Sequence, residues 1–126
     1  MKKRVLIIDD EERIRKIYKR FFNMLGSNFL DVIETSNATE ATNYIIREKV
    51  DIVILDIKMP KVNGMSMFEV IKEYDPALRV IVASVYPIDQ QKKMIPEASD
   101  YFDKSQGPMR LFEKVCGILL KHDYTL

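Results

Sequence analysis

Cys116 is the only cysteine in the sequence, so no disulfide can form within the chain, and that usage fits a reducing compartment. An excess of one charge is also missing, because 20 Lys and Arg stand against 19 Asp and Glu for a formal net charge of +1. A general nucleic-acid binder carries a clear basic excess, so direct nucleic-acid binding is not expected. No apolar run approaches the roughly 20 residues that a bilayer span needs. The opening Met1-Lys2-Lys3-Arg4 is basic like the start of a signal peptide, but the apolar run behind it ends at Ile8 with Asp9 and Asp10. A secretory core needs about 7–15 apolar residues. Linkers, low-complexity tracts and internal repeats are absent as well. These absences point to a cytoplasmic protein in which residues 1–126 form a single domain, and the 47% hydrophobic content is enough for one packed core.

The sequence does contain a regular alternation. Short β-branched runs at 4–8, 29–33, 52–55, 79–83 and, more weakly, Tyr101-Phe102 are separated by stretches with helical spacing. Three of the runs are almost continuously apolar, as parallel strands covered on both faces should be. The first helical stretch repeats Ile14, Ile17, Tyr18, Phe21 and Leu25 on one face, with Gly26 as its stop. Asn37 or Ser36 caps a second, which turns Ala41, Tyr44 and Ile45 inward. Ser66 opens a third through Phe68, Val70 and Ile71, closed by Asp75-Pro76. Asp89 to Ile95 is the weakest stretch, bounded by Pro96. The last puts Leu111, Phe112, Val115, Ile118 and Leu119 on one side. Five strand-then-helix units with short connections give an α/β fold, a five-stranded parallel sheet wound on both sides.

In such sheets ligands bind at the carboxyl ends of the strands. The first strand ends in Asp9-Asp10-Glu11, the third in Asp56, the fourth in Ser84 and the fifth in Asp103-Lys104. Each group has a plain reading when taken alone. Acidic residues after a strand often cap the next helix, a lone Asp is often a turn residue, and a lone Lys is usually solvated. Together they place carboxylates, a hydroxyl and an ammonium on one sheet edge. Clustered carboxylates repel unless a cation joins them, and Mg²⁺ suits a site of few carboxylates plus phosphate oxygens. A carboxylate can attack phosphorus to give an aspartyl phosphate, with the metal, Lys104 and the Ser84 hydroxyl sharing the charge.

At these residues the chain resembles the receiver domains of bacterial response regulators, CheY-like signalling modules of two-component systems. The segments are VLIIDDEERIR at 5–15, DIVILDIKMPKVNG at 51–64, RVIVAS at 79–84 and SDYFDKS at 99–105, and the likeness covers essentially the whole chain. It implies the flavodoxin-like strand order 2-1-3-4-5. It also implies Asp56 as phosphoryl acceptor and Mg²⁺ held by Asp9, Asp10, Asp56 and the main-chain carbonyl of Lys58. Ser84 and Lys104 are then the phosphate partners, and Tyr101 is the aromatic whose rotamer reports the active state. A plain half-buried strand residue is the competing reading of Tyr101. The pairs Met59-Pro60 and Asn63-Gly64 match the turn after the acceptor, where Gly64 can take a positive φ. The implied donor is a sensor histidine kinase or phosphotransfer protein, docking on Ile14 and Ile17, and the receiver of the signal is a downstream protein of unknown identity. The basic residues Arg13, Arg15, Lys16, Lys19 and Arg20 otherwise read as a solvated face, and His122 as a surface residue.

Some positions depart from that pattern. Ser105 stands where a cis proline is usual, so a trans Lys104-Ser105 bond and an altered loop to Pro108 are expected. Val85 and Tyr86 are larger than usual after the hydroxyl position. With Lys58 they could screen the phosphate from water and slow self-dephosphorylation, and relay intermediates pair a lysine with a tyrosine in this way. Ser84 to Tyr101 is a couple of residues short, which predicts a short fourth helix. With no room after the fifth helix for a DNA-binding unit, a stand-alone regulator is expected. An aspartate-nucleophile phosphatase would need a second Asp where Lys58 stands, so the chain is not read as an enzyme acting on other substrates. An interaction domain working without phosphate, or a relay intermediate, is the alternative.

Overall fold

A computed structural model of the chain describes residues 2–57 and 63–120. The elements follow in order: β1 (Lys3–Ile8), α1 (Glu12–Gly26), β2 (Leu30–Thr35), α2 (Ala38–Arg47), β3 (Ile52–Asp56), α3 (Gly64–Tyr74), β4 (Arg79–Ser84), α4 (Ile88–Met94), β5 (Asp100–Asp103) and α5 (Pro108–Leu119). A single 3₁₀ turn, Lys104–Gln106, joins β5 to α5. All strand pairs are parallel and the order is β2-β1-β3-β4-β5, as the resemblance implied. The register brings Ile8 beside Leu55, Asp56 beside Ala83 and Ser84 beside Asp103, so the ends of four strands lie along one edge.

Alternating side chains of each strand feed two cores. Val5, Ile7, Ile52, Ile54, Ile81, Ala83 and Phe102 pack against α1 and α5 through Tyr18, Phe22, Leu111 and Val115. Leu6, Ile8, Val53, Leu55, Val80, Val82 and Tyr101 pack on the opposite face against Ala41, Met67, Phe68, Ile71 and Ile95. Burial on both faces explains the unbroken apolar runs of the central strands.

The helices follow the sequence reading with local corrections. In α1 the buried stripe is Tyr18, Phe22 and Gly26, while Ile17 is 39% and Leu25 43% exposed. The apolar residues of this helix span more than one face. The aromatic contacts of Tyr18 with Phe102 and of Phe22 with Phe112 decide which face turns inward. Gly26 is not a left-handed stop: it has no positive φ, and the following Ser27 is right-handed (φ −59°). A Cβ there would press to 3.1 Å on Leu30, Phe29 and Phe112, so the glycine serves close packing.

Asn37 is the cap of α2, its side chain accepting from Glu40 N. Helix α3 begins at Gly64, ahead of Ser66, because the Asn63 side chain accepts from Met65 N and Ser66 N. Met67 is buried there beside Phe68 and Ile71, and Val70 is exposed. Helix α4 is short, as its spacing predicted, at seven residues. No peptide bond among the described residues is cis, so Lys104-Ser105 is trans, and Gly107 (φ 84°) turns the chain into Pro108 at the head of α5.

Candidate functional site

The carboxyl edge of the sheet carries a compact polar cluster. Asp9, immediately after β1, and Asp56, the last residue of β3, are each only 2% exposed. Carboxylate oxygens of Asp9, Asp10 and Asp56 lie within 4.8 Å of one another. Lys104, just beyond β5, places Nζ 2.7 Å from Asp9 Oδ2 and 3.1 Å from Asp56 Oδ2. Burial by itself depresses the Lys104 ammonium. The hydrogen bond to Asp9 and the charges of Asp56 and Asp9 outweigh that and raise its pKa above the ordinary lysine value.

Local structure explains why these groups point together. The plain reading of Asp9 and Asp10 as helix caps does not hold. The cap position of α1 is Glu11, with no side-chain cap bond, and Asp9 Oδ1 instead accepts from Glu11 N at 3.0 Å. The Asp9 main chain continues the strand pairing, donating from N to Thr35 O at 3.1 Å. Beside Asp56, a Cβ at Gly64 would collide with Ile57 Cα and come within 3.0 Å of Asp56 O. Gly64 has no positive φ, contrary to the expectation from the turn. It is needed because α3 starts hard against the end of β3.

The remaining expected residues fall in different places. Ser84 is fully buried at the end of β4, with Oγ accepting from Tyr86 N at 3.2 Å. Tyr101 is buried on β5 and its hydroxyl donates to Ile95 O at the end of α4. Tyr86 is half-buried against the same core, whereas Val85 is exposed. Ile14 is partly buried against the α1/α5 core, so Ile17 offers the more exposed apolar surface of the two. Lys58, Met59, Pro60 and His122 lie outside the described residues.

Three groups near the site were not singled out from sequence. Tyr18 is pushed up to about 12 by burial, with the nearby Lys104 charge opposing and Asp9, Asp56 and Glu11 adding. Its place in an apolar stripe gave no hint of that proximity. Gln91 is fully buried under α4, its Nε2 donating to Tyr86 O at 2.8 Å and Phe102 O at 2.9 Å. Arg15, one of several basic residues on α1, reaches Asp9 O at 2.9 Å.

The chain matches the response regulator receiver domain family over residues 5–116. It is a receiver domain of that family. Among curated relatives it is 34% identical over 119 residues to the probable transcriptional regulator ycf27 of Guillardia theta, covering 94% of this chain and 46% of that protein. It is also 34% identical over 117 residues to the chemotaxis protein CheY of Thermotoga maritima, covering 90% and 94%. The receiver spans about half the length of the first curated relatives that it matches. Among solved structures, the response regulator TrrA of Thermotoga maritima in complex with Mg²⁺-BeF has a TM-score of 0.81 at 29% identity, covering 93% and 99%.

Receiver domains bind Mg²⁺ at an acidic pocket, and the donor set here fits that ion. Three carboxylates present hard oxygen ligands on neighbouring strand ends, and Lys104 touches two of them. Among the described residues no helix is long and apolar enough to cross a membrane.

Proposed function

We propose that this receiver, a single domain over residues 1–126, accepts a phosphoryl group on Asp56 from a phosphohistidine of a sensor histidine kinase or phosphotransfer protein. A carboxylate oxygen of Asp56 attacks phosphorus while the P–N bond to the donor imidazole breaks. The electron pair stays on that ring nitrogen, which takes up a proton. Asp9, Asp10 and Asp56, with the carbonyl of Lys58, would hold Mg²⁺, which supplies positive charge against the phosphoryl oxygens when bound.

The observation that carries this reading is Lys104 Nζ, within hydrogen-bond reach of both Asp9 and Asp56. An ammonium already beside the acceptor can move its hydrogen bond onto the transferred group with little reorganisation. Ser84, whose oxygen accepts from Tyr86 N, is the hydroxyl that turns toward the phosphate. Space vacated at Ser84 and the bond from Tyr101 to Ile95 O make β4, α4 and β5 the responding elements. Ile17 is the better candidate of the two α1 residues for contact with the phosphodonor. The receiver passes its signal to a downstream protein partner in the cytoplasm and turns over no other substrate.

Incubation with Mg²⁺ and acetyl phosphate, followed by intact mass, tests this reading. One added phosphoryl group in the wild type, absent in Asp56→Asn and absent without Mg²⁺, is the expected result. No adduct under conditions that label another receiver would instead favour an interaction domain that works without phosphate.

A further inference from the structure

Asp9 is held at four atoms. Strand pairing fixes its N, the β1–α1 turn fixes Oδ1, and Lys104 fixes Oδ2. The fourth bond is of another kind: Arg15, one turn into α1, folds back so that Nη1 donates to the Asp9 main-chain carbonyl at 2.9 Å. The same guanidinium places Nε 3.2 Å from Glu34 Oε1 on β2. The two side chains are only 12% and 10% exposed, unlike the neighbouring Lys16, which reaches the same carboxylate oxygen from solvent at 62%.

A pair serving only the helix surface would have no reason to be covered, since burial of two charges is costly unless they are well bonded. Here Glu34 Oε2 is buried and has no hydrogen-bond partner among the described residues. The arrangement therefore gives up a bond at Glu34 and directs one guanidinium N–H at the Asp9 carbonyl. An arginine fork presents Nε and Nη1 to the two acceptors in fixed directions, whereas a lysine ammonium offers all its donors from one nitrogen without that preset geometry.

We infer that Arg15, oriented by Glu34, is a positioning residue for the acidic site. It fixes the β1–α1 turn from the side opposite Lys104, so that the Asp9 and Asp10 carboxylates remain aimed at Asp56. The effect on the metal rests on the Mg²⁺ reading proposed above. The effect on the turn does not.

The full chain is compared as wild type, Arg15→Gln, Arg15→Lys and Glu34→Gln, with the exposed Arg110→Gln as control. Mg²⁺ is titrated by calorimetry, and amide hydrogen exchange is measured in the metal-free protein. Loss of a group that orients a metal ligand weakens metal binding by about 10–100-fold. Arg15→Gln is expected in that range, Arg15→Lys close to it despite its retained charge, Glu34→Gln less affected, and Arg110→Gln unchanged. Without metal, exchange at Glu11 N, which donates to Asp9 Oδ1, speeds up in both Arg15 variants while β4 amides keep their rates.

Three results would overturn the inference: Mg²⁺ affinity and Glu11 exchange unchanged in Arg15→Gln, full rescue by Arg15→Lys, or uniform acceleration of all amides. If the wild type binds no Mg²⁺, the metal reading fails on its own, and the metal-free exchange still decides the role of Arg15.

Discussion

Both faces of the sheet bury an apolar core, but their helices are fastened differently at α4. On the α1/α5 face, Phe22 meets Phe112 at 5.6 Å between ring centroids, Tyr18 meets Phe102 at 6.4 Å, and helices of 15 and 12 residues cover the strands. On the other face the seven-residue α4 turns a glutamine inward. Gln91 holds Tyr86 O and Phe102 O through one nitrogen and leaves its buried Oε1 without a partner among the described residues. Dispersion and apolar burial degrade gradually, whereas a few directional bonds are either made or broken. The site is divided along the same line. Asp56 shares strand parity with Ile52 and Ile54, which face α1 and α5. Ser84 shares parity with Val80 and Val82, which face the other side, as Tyr101 also does. The proposed acceptor sits over the α1/α5 face, and the proposed response sits over the face where α4 is fastened by a few directional bonds.

The comparison breaks most easily at Phe22. Phe22→Ala removes a fully buried ring from the aromatic face and should cost about 3–5 kcal/mol, read from urea unfolding. A loss under about 1 kcal/mol would mean that the aromatic contacts do not hold α1 and α5 on that face. Next comes Gln91→Leu, which takes the donor from two carbonyls. A loss of roughly 2 kcal/mol is expected, with exchange accelerated in α4 and unaltered in α1. Wild-type stability in that variant would show that α4 is not held by those bonds.

The smallest effect is alkaline. Between the ordinary 10.0 and about 12, folded Tyr18 keeps a proton that the unfolded chain has lost, so stability falls as pH rises through that window. Lys104 acts in the same direction, since its contribution is complete below 10.5 and is lost as pH rises through its raised folded value. From about pH 9 to about pH 11 the Tyr18 share is about 1 kcal/mol. Tyr18→Phe should flatten that part of the profile. An unchanged slope would show that Tyr18 ionises as freely in the folded chain as in the unfolded one.

Much of this was legible in the sequence because it rests on the strands. Apolar runs ending in Asp, Ser or Lys carry their register with them, so the convergence of Asp9, Asp56 and Lys104 could be expected before any coordinates. Helix orientation was less legible. Ile17 and Tyr18 both fit an apolar stripe, and only the partners across the interface choose between them. Gly26 and Gly64 looked like residues chosen for backbone freedom, but both are glycines because another element comes too close for a Cβ, a fact that no local pattern records. Arg15 and Gln91 were hidden for a related reason. Polar residues on helices read as solvated, and no local pattern records that Arg15 meets the Asp9 carbonyl and Glu34, or that Gln91 meets the carbonyls of Tyr86 and Phe102.

The Lys104 ion pairs close chain separations of 95 residues to Asp9 and 48 to Asp56. A polypeptide emerging from the ribosome therefore exposes both acidic groups long before their ammonium partner has been synthesised. Contacts so distant in sequence form late, because the entropy of closing the intervening loop is met before they return anything. The completed cluster is therefore a late property of this domain, and a product truncated ahead of β5 would carry Asp9, Asp10 and Asp56 without the ammonium that bridges Asp9 and Asp56.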